Sequence, residues 1–237
     1  MIKKIIQELY KKAHPVKAKI LARFFKTGKG EYGEGDKFLG ITVPEQRKIA
    51  KDYYQNISLN EIKMLLTSKI HEFRLTALIM LTYKYKKANE EERKQYFEFY
   101  LKNTKSINNW DMVDLTAPNI VGEYLFNKDR EIIYKLTKSK NLWEKRIAIL
   151  STYAFIRHGQ FDDIIKVAKI LINDQHDLIQ KAVGWMLRET GKRNIKTEEE
   201  FLQKNYRKMG RTALRYAIEK FPEKKRKLYL NNLFKPT

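Results

Sequence analysis

The sequence predicts an all-α fold built from repeated helix pairs, and three observations carry that reading. Only five prolines punctuate 237 residues, so little interrupts helical text. Runs such as EEERKQYFEFYLKN and FDDIIKVAKILIND place apolar residues at i, i+3, i+4 and i+7, while no strand-like alternation bounded by hairpin turns occurs. The third observation is internal repetition. EFRLTALIML, NWDMVDLTAPNIV, WEKRIAIL, IQKAVGWML and MGRTALRYAI align on Ala77, Ala117, Ala148, Ala182 and Ala213. The intervals, about 31 to 40 residues, suit helix–turn–helix repeats. Any amphipathic helix containing alanine aligns with another, but five in succession predict a HEAT-like solenoid with a concave basic groove, a single domain over residues 1–237.

Taken in order, MIKKIIQELYKKAHP and KAKILARFFK read as amphipathic helices. The glycine-rich stretch that follows breaks the pattern, and residues 27–43 read as a long loop inside the domain, with Pro44 in the first turn of the next helix. Gly28-x-Gly30-x-x-Gly33 formally matches a dinucleotide-binding fingerprint, but that mechanism needs a strand before and a helix immediately after. Here a helix precedes and an acidic loop follows, so the match is rejected. Lys29 and the loop's backbone amides are candidate phosphate contacts; plain connection is the equal alternative. Further on, Asn108 with Asp111, and Asn141 with Glu144, have the spacing of capping boxes opening the second helix of two repeats. Asp162–Asp163 and Glu198–Glu200 read as helix-start acids that complement the dipole.

Charge narrows the partner. Lysine and arginine total 49 against 28 acids, a formal charge of +21 with pI near 9.8, which favours a polyanion. An anionic membrane is the rival, yet no basic helix stands alone with an exposed Leu/Phe/Trp face. No membrane-length apolar run and no signal-peptide core occurs, and cysteine is absent. The chain reads as reduced, cytoplasmic and nucleoid-associated, without a disulfide framework. Four scattered histidines lack ligand spacing, and no P-loop or nucleophile elbow is present. No metal or cofactor is expected.

What remains is a set of aromatic and charged residues at one phase of the repeat. Trp110 and Asp114 are i, i+4 and share a helical face; Arg146 lies two residues before its alignment alanine, Trp185 three after the next. A tryptophan at helical spacing is ordinarily core and a helical aspartate ordinarily solvated. Paired one turn apart on a basic solenoid, they become a candidate site. The stretches NNWDMVD, NLWEKRIAIL, QKAVGWMLRE, GEYGEGDKFLGITVPEQRK and MGRTALRYAIEKFP resemble the AlkD-type DNA alkylation-repair glycosylases, over roughly residues 20–230. That family consists of HEAT-like solenoids excising cationic alkylated bases such as 3-methyladenine and 7-methylguanine. The resemblance implies catalytic roles for Asp114, Trp110, Trp185 and Arg146, and DNA contacts through Arg146, Arg188 and Arg47. Thr42–Val43 and Ala154 depart from family positions that are polar or basic. Lys181, Arg211 and Arg215 complete the expected backbone contacts, solvated surface being their ordinary alternative.

The chemistry explains why so few groups suffice. A ring-alkylated purine carries positive charge and leaves without prior protonation, so the second carboxylate of ordinary glycosidic cleavage is dispensable. One carboxylate stabilises the oxocarbenium-like sugar and orients water, while indole faces attract the cation. The expected partner is duplex DNA carrying alkylated bases, met by a monomer. A non-catalytic DNA binder and a protein–protein scaffold are the alternatives.

Overall fold

The computed structural model describes residues 1–234 and is all-α, as the periodicity predicts; among these residues the isolated parallel bridge Lys37–Ile70 is the strand-like feature. The chain divides into two compact units, Met1–Thr116 and Ala117–Thr237. Among the described residues no helix is long and apolar enough to cross a membrane.

The first unit contains α1 (Ile2–Lys11), α2 (Pro15–Phe24), α3 (Val43–Tyr53), α4 (Leu59–Leu66), α5 (His71–Lys87), α6 (Glu90–Lys102) and nearly all of α7 (Trp110–Ala117). Its centre is α5, buried around its whole circumference from His71 to Thr82, with α3 and α4 packed on it. From Leu75 to Thr82 every side chain is apolar or a threonine, and such a helix must be enclosed, while its first turn buries His71, Glu72 and Arg74 as partnered groups. Reciprocal capping boxes start α4 (Ser58 with Glu61) and α6 (Asn89 with Glu92), satisfying amide donors that helix geometry leaves open. At α7 the expected box fails: Asn108 Oδ1 accepts no hydrogen bond, and Asn109 Oδ1 instead accepts the Trp110 N–H at 2.8 Å. The helix begins one residue later than the Asn108–Asp111 spacing suggested.

The glycine-rich segment is a loop, and Pro44 lies in the first turn of α3, both as expected. Its amides bond to carboxylates of the same chain. Gly28 N–H donates to Glu31 and Gly30 N–H to Glu34, each at 2.8 Å. Leu39, Gly40 and Ile41 N–H groups converge on the buried Glu72 carboxylate at 2.8–3.2 Å. Gly40 has φ +86°, and a Cβ there would meet the His14 carbonyl at 2.3 Å, so only glycine fits this approach.

The second unit runs through a π-turn at Pro118–Gly122, a short α8 (Glu123–Leu125), then α9 (Glu131–Thr137), α10 (Leu142–Arg157), α11 (Asp162–Leu171), α12 (Asp177–Gly191), α13 (Ile195–Asn205), α14 (Arg211–Ala217) and α15 (Glu223–Leu230). The second helices of successive pairs are neighbours: α10 packs on α12 and α12 on α14. All five alignment alanines are buried, as close helix approach requires. Gly184 is the tightest point, where a Cβ would lie 2.3 Å from the Ala213 carbonyl of α14. Asn141 does cap α10, accepting from Trp143 N–H at 2.9 Å, but Glu144 reaches the Ser139 hydroxyl at 2.5 Å instead of closing the predicted box. Two supposed dipole acids also serve otherwise. Asp163 is buried between Arg130 and Tyr134, each at 2.5 Å. Glu198 is only 2% exposed, and burial, followed by the neighbouring charge of Glu199, pushes its pKa up to about 8 against the pull of Arg188 and Lys225.

Candidate functional site

In the first unit Trp110 and Asp114 lie one turn apart on α7, both half-buried. Between them in sequence, Asp111 is turned inward: its Oδ1 accepts the Met112 N–H and its Oδ2 sits 2.8 Å from His71 Nε2. Asp114 faces a different group. Tyr100 is fully buried with its hydroxyl 2.9 Å from Thr116 Oγ1, and Thr116 donates its own proton to the Met112 carbonyl at 2.5 Å, leaving Tyr100 as the donor of the pair. Burial drives the Tyr100 pKa upward, the Thr116 bond opposes the rise, and the negative charge of Asp114 adds to it. Asp114 therefore lies at a polar edge of the core, and beyond it Pro118 lacks the amide that would otherwise bond to the Asp114 carbonyl. A π-turn begins there, a local irregularity that often accompanies functional positions.

Trp110 is placed by other aromatic rings. Phe25 stacks on it at 5.1 Å with an interplanar angle of 19°, and Phe24 meets it edge-on at 5.8 Å. Phe25 also stacks on Phe38 at 5.1 Å, and both rings face the imidazole of His71. These contacts fix the indole plane while leaving part of it accessible.

In the second unit Arg146 is 4% exposed and its Nη1 donates to the Leu178 carbonyl in the first turn of α12 at 2.5 Å, so the guanidinium ties α10 to α12. Trp185 is half-buried on α12, 6.5 Å from the Tyr153 ring of α10. Glu189 lies one turn on along the same helical face. Burial would raise the Glu189 pKa, but its bond and charge contact with Lys192, together with the bond from Arg193, hold it below the usual value. Tyr153 in turn lies under two guanidiniums, Arg157 at 5.2 Å and Arg193 at 5.7 Å.

The expected backbone contacts fall into two groups. Lys29, Arg47 and Arg215 are exposed. Lys181, Arg188 and Arg211 are engaged within the protein: Lys181 pairs with Asp177 at 2.7 Å, Arg188 with Glu219, and Arg211 with the Leu230 carbonyl. Sequence reasoning missed His71, Asp36, Tyr100, Tyr153 and Glu189, the groups that orient the candidate residues. Glu189 had a findable signal, since it lies four residues from Trp185 on one helical face. His71 and Asp36 are joined by tertiary packing and gave none.

With this geometry established, the comparisons with known proteins are specific. A family model described as "DNA alkylation repair enzyme" matches residues 5–221. The chain belongs to the DNA alkylation repair enzyme family. Among solved structures, it is similar to a predicted DNA alkylation repair enzyme from Enterococcus faecalis, with 19% identity, a TM-score of 0.71, and coverage of 90% of this chain and 98% of that one. AlkD2 from Streptococcus mutans is similar at 18% identity and TM-score 0.57, covering 87% of this chain and 99% of that one. The smu.31 protein of Streptococcus mutans UA159 follows at 18% identity and TM-score 0.54, covering 87% and 100%. These likenesses are of fold. A search of curated proteins finds no significant match.

Proposed function

We propose that this protein is an alkylpurine DNA glycosylase of base excision repair, a monofunctional hydrolase acting as a monomer in the cytoplasm. It would hydrolyse the N-glycosidic bond of cationic purines such as 3-methyladenine and 7-methylguanine in duplex DNA, leaving an abasic site. The observation that carries this reading is the half-buried Asp114 carboxylate one turn from the half-buried Trp110 indole, with the nearby Asp111 withdrawn into the interior by His71. Membership of the alkylation repair family supports it.

In this reading the cationic base departs with the electron pair of the C1′–N bond and becomes neutral, and positive charge develops on the deoxyribose. Asp114 stabilises that charge, and it orients water for attack at C1′ and accepts the proton that water gives up. Trp110 and Trp185 offer electron-rich faces to the cationic nucleotide, an attraction worth roughly 0.5–2 kcal/mol each. Arg146, oriented by Leu178, places a fixed positive charge for a phosphate beside the lesion. Arg188, Arg47, Lys181, Arg211, Arg215 and Lys29 contribute to backbone attraction, and no metal or cofactor enters the reaction.

The test is release of 7-methylguanine from methylated duplex DNA by the wild type and by Asp114→Asn. Release by the wild type, with the variant binding but not turning over, supports the proposal. Salt-sensitive binding that ignores alkylation, with no release, replaces it with a non-catalytic DNA binder.

A further inference from the structure

Deep in the first unit, His71 opens α5 and is 2% exposed. Both of its ring nitrogens face carboxylates: Nε2 lies 2.8 Å from Asp111 Oδ2 of α7, and Nδ1 3.3 Å from Asp36 Oδ2 of the glycine-rich loop. Arg74, one turn along α5, grips the same Asp36 oxygen at 2.7 Å and donates to the Ser68 carbonyl at 2.9 Å. Glu72, the remaining charged group at this helix start, is occupied by the amides of residues 39–41. The imidazole plane is covered by Phe38, stacked at 4.5 Å, and Phe25, tilted at 4.8 Å. Phe25 is the ring that stacks on Trp110.

His71 thus reaches both halves of the candidate pair. Through Asp111 it fixes the first turn of α7, and hence the direction in which Asp114 projects one turn on. Through Phe25 it fixes the plane of Trp110. A neutral imidazole donates only one hydrogen bond, so its deprotonation would turn a ring lone pair toward one of the two buried carboxylates, leaving Asp36 with Arg74 alone or Asp111 with the Met112 N–H alone. With two carboxylates, Arg74 and an imidazolium, the buried cluster is charge-balanced.

We propose that His71, as an imidazolium held between Asp36 and Asp111, is a positioning residue that sets the geometry of Trp110 and Asp114. The inference rests on the glycosylase reading for its kinetic consequence but not for its structural one. In the folded protein burial opposes the charge on His71, yet the charge of Asp111 and the bonds to Asp111 and Asp36 prevail and raise its pKa, while Arg74 pulls the other way. Positioning therefore persists at low pH and is lost as pH rises through the raised imidazole value.

An NMR titration of the full-length wild type tests this without substitution, following the His71 imidazole and the Trp110 indole N–H, assigned by the signals missing from His71→Gln and Trp110→Phe. The imidazole should stay charged above its ordinary value of 6.5, and the Trp110 signal should shift at the same pH. Asp111→Asn should lower the imidazole pKa. On methylated duplex DNA, wild-type single-turnover release should fall as pH rises through that value. His71→Gln should release 7-methylguanine roughly 10- to 100-fold more slowly at neutral pH, without a matching loss of DNA affinity, and with a flat profile across that interval. An imidazole that titrates at or below 6.5, or a Trp110 signal indifferent to both titration and His71→Gln, overturns the proposal. If the wild type releases no base at all, the glycosylase reading falls while the spectroscopic coupling still decides this one.

Discussion

Trp110 rests on a run of stacked rings beside a buried ion cluster, whereas Trp185 lies one turn from Glu189, a carboxylate paired with the partly exposed Lys192 and Arg193. Each tryptophan belongs to its own compact unit, and each is supported by a different physical device. The Trp110 device is dry: its contacts are aromatic faces and hydrogen bonds enclosed by α5 and the glycine-rich loop, so added salt should barely reach it. The Trp185 device is wet, because Lys192 and Arg193 remain partly exposed and their attraction to Glu189 is screened. The contrast teaches that two similar side chains, read from sequence as a matched pair, respond to different conditions. The first is sensitive to alkaline pH and core packing, the second to acid and ionic strength.

The largest expected effect removes the carboxylate that shares a helical face with Trp110. Asp114→Asn should lower the rate of 7-methylguanine release by on the order of 100- to 1,000-fold while leaving duplex binding within a few-fold, measured by single-turnover kinetics and fluorescence anisotropy. Unchanged turnover would show that the Trp110 device serves something other than this carboxylate.

Core packing comes next. Phe25→Ala removes the buried ring joining Phe38, His71 and Trp110, and should cost about 3–5 kcal/mol of stability in denaturant unfolding. Gly184→Ala, which forces a Cβ against α14 beside Trp185, should cost about 1–3 kcal/mol. If Phe25→Ala proves milder than Gly184→Ala, the first device is not the more densely packed one.

Acidity separates the two arms of the stability curve. Glu189 and Asp36 have folded pKa values below their ordinary 4.5 and 3.8, so their contributions are present above those values and are lost as pH falls through the folded ones. Glu198 behaves oppositely. Its folded value of about 8 lies above the unfolded 4.5, so stability associated with its proton is complete below 4.5 and disappears as pH rises through about 8. Glu198→Gln should therefore raise Tm at pH 9 relative to the wild type and leave the difference smallest near pH 4, as read by calorimetry across the range. An equal effect at both ends would mean that Glu198 stays ionised in the fold. The smallest effect expected is at the wet device: Glu189→Gln should cost under about 1 kcal/mol, and the loss should shrink further in 0.5 M salt.

Much of this architecture was legible in the chain. The alanine register located five buried helix positions because close packing of repeats imposes a small residue at a fixed phase. The i, i+4 spacing put Trp110 and Asp114 on one face because helical geometry leaves no other choice. What the sequence did not disclose were the partners brought from afar. Asp36 and His71 are 35 residues apart and meet through tertiary packing. Glu198 read as a dipole acid because its position in the first turn of α13 is the usual place for one, and only the enclosing helices reveal its burial. The boxes at Asn108 and Asn141 failed for a local reason: Asn109 and Ser139 offered competing side chains one or two residues away. Capping patterns name candidates, while short-range competition decides among them.

The carboxylates closing the glycine-rich loop have a further consequence. An anion that approaches the amides of residues 28, 30, 39, 40 or 41 meets negative oxygens already in place. The segment has the amide convergence of an oxyanion receptor and supplies its own occupant, Glu72, from a neighbouring helix. These five amides are thus closed to a phosphate, and the exposed Lys29 and Lys37 carry the loop's attraction for a polyanion, which fades with ionic strength.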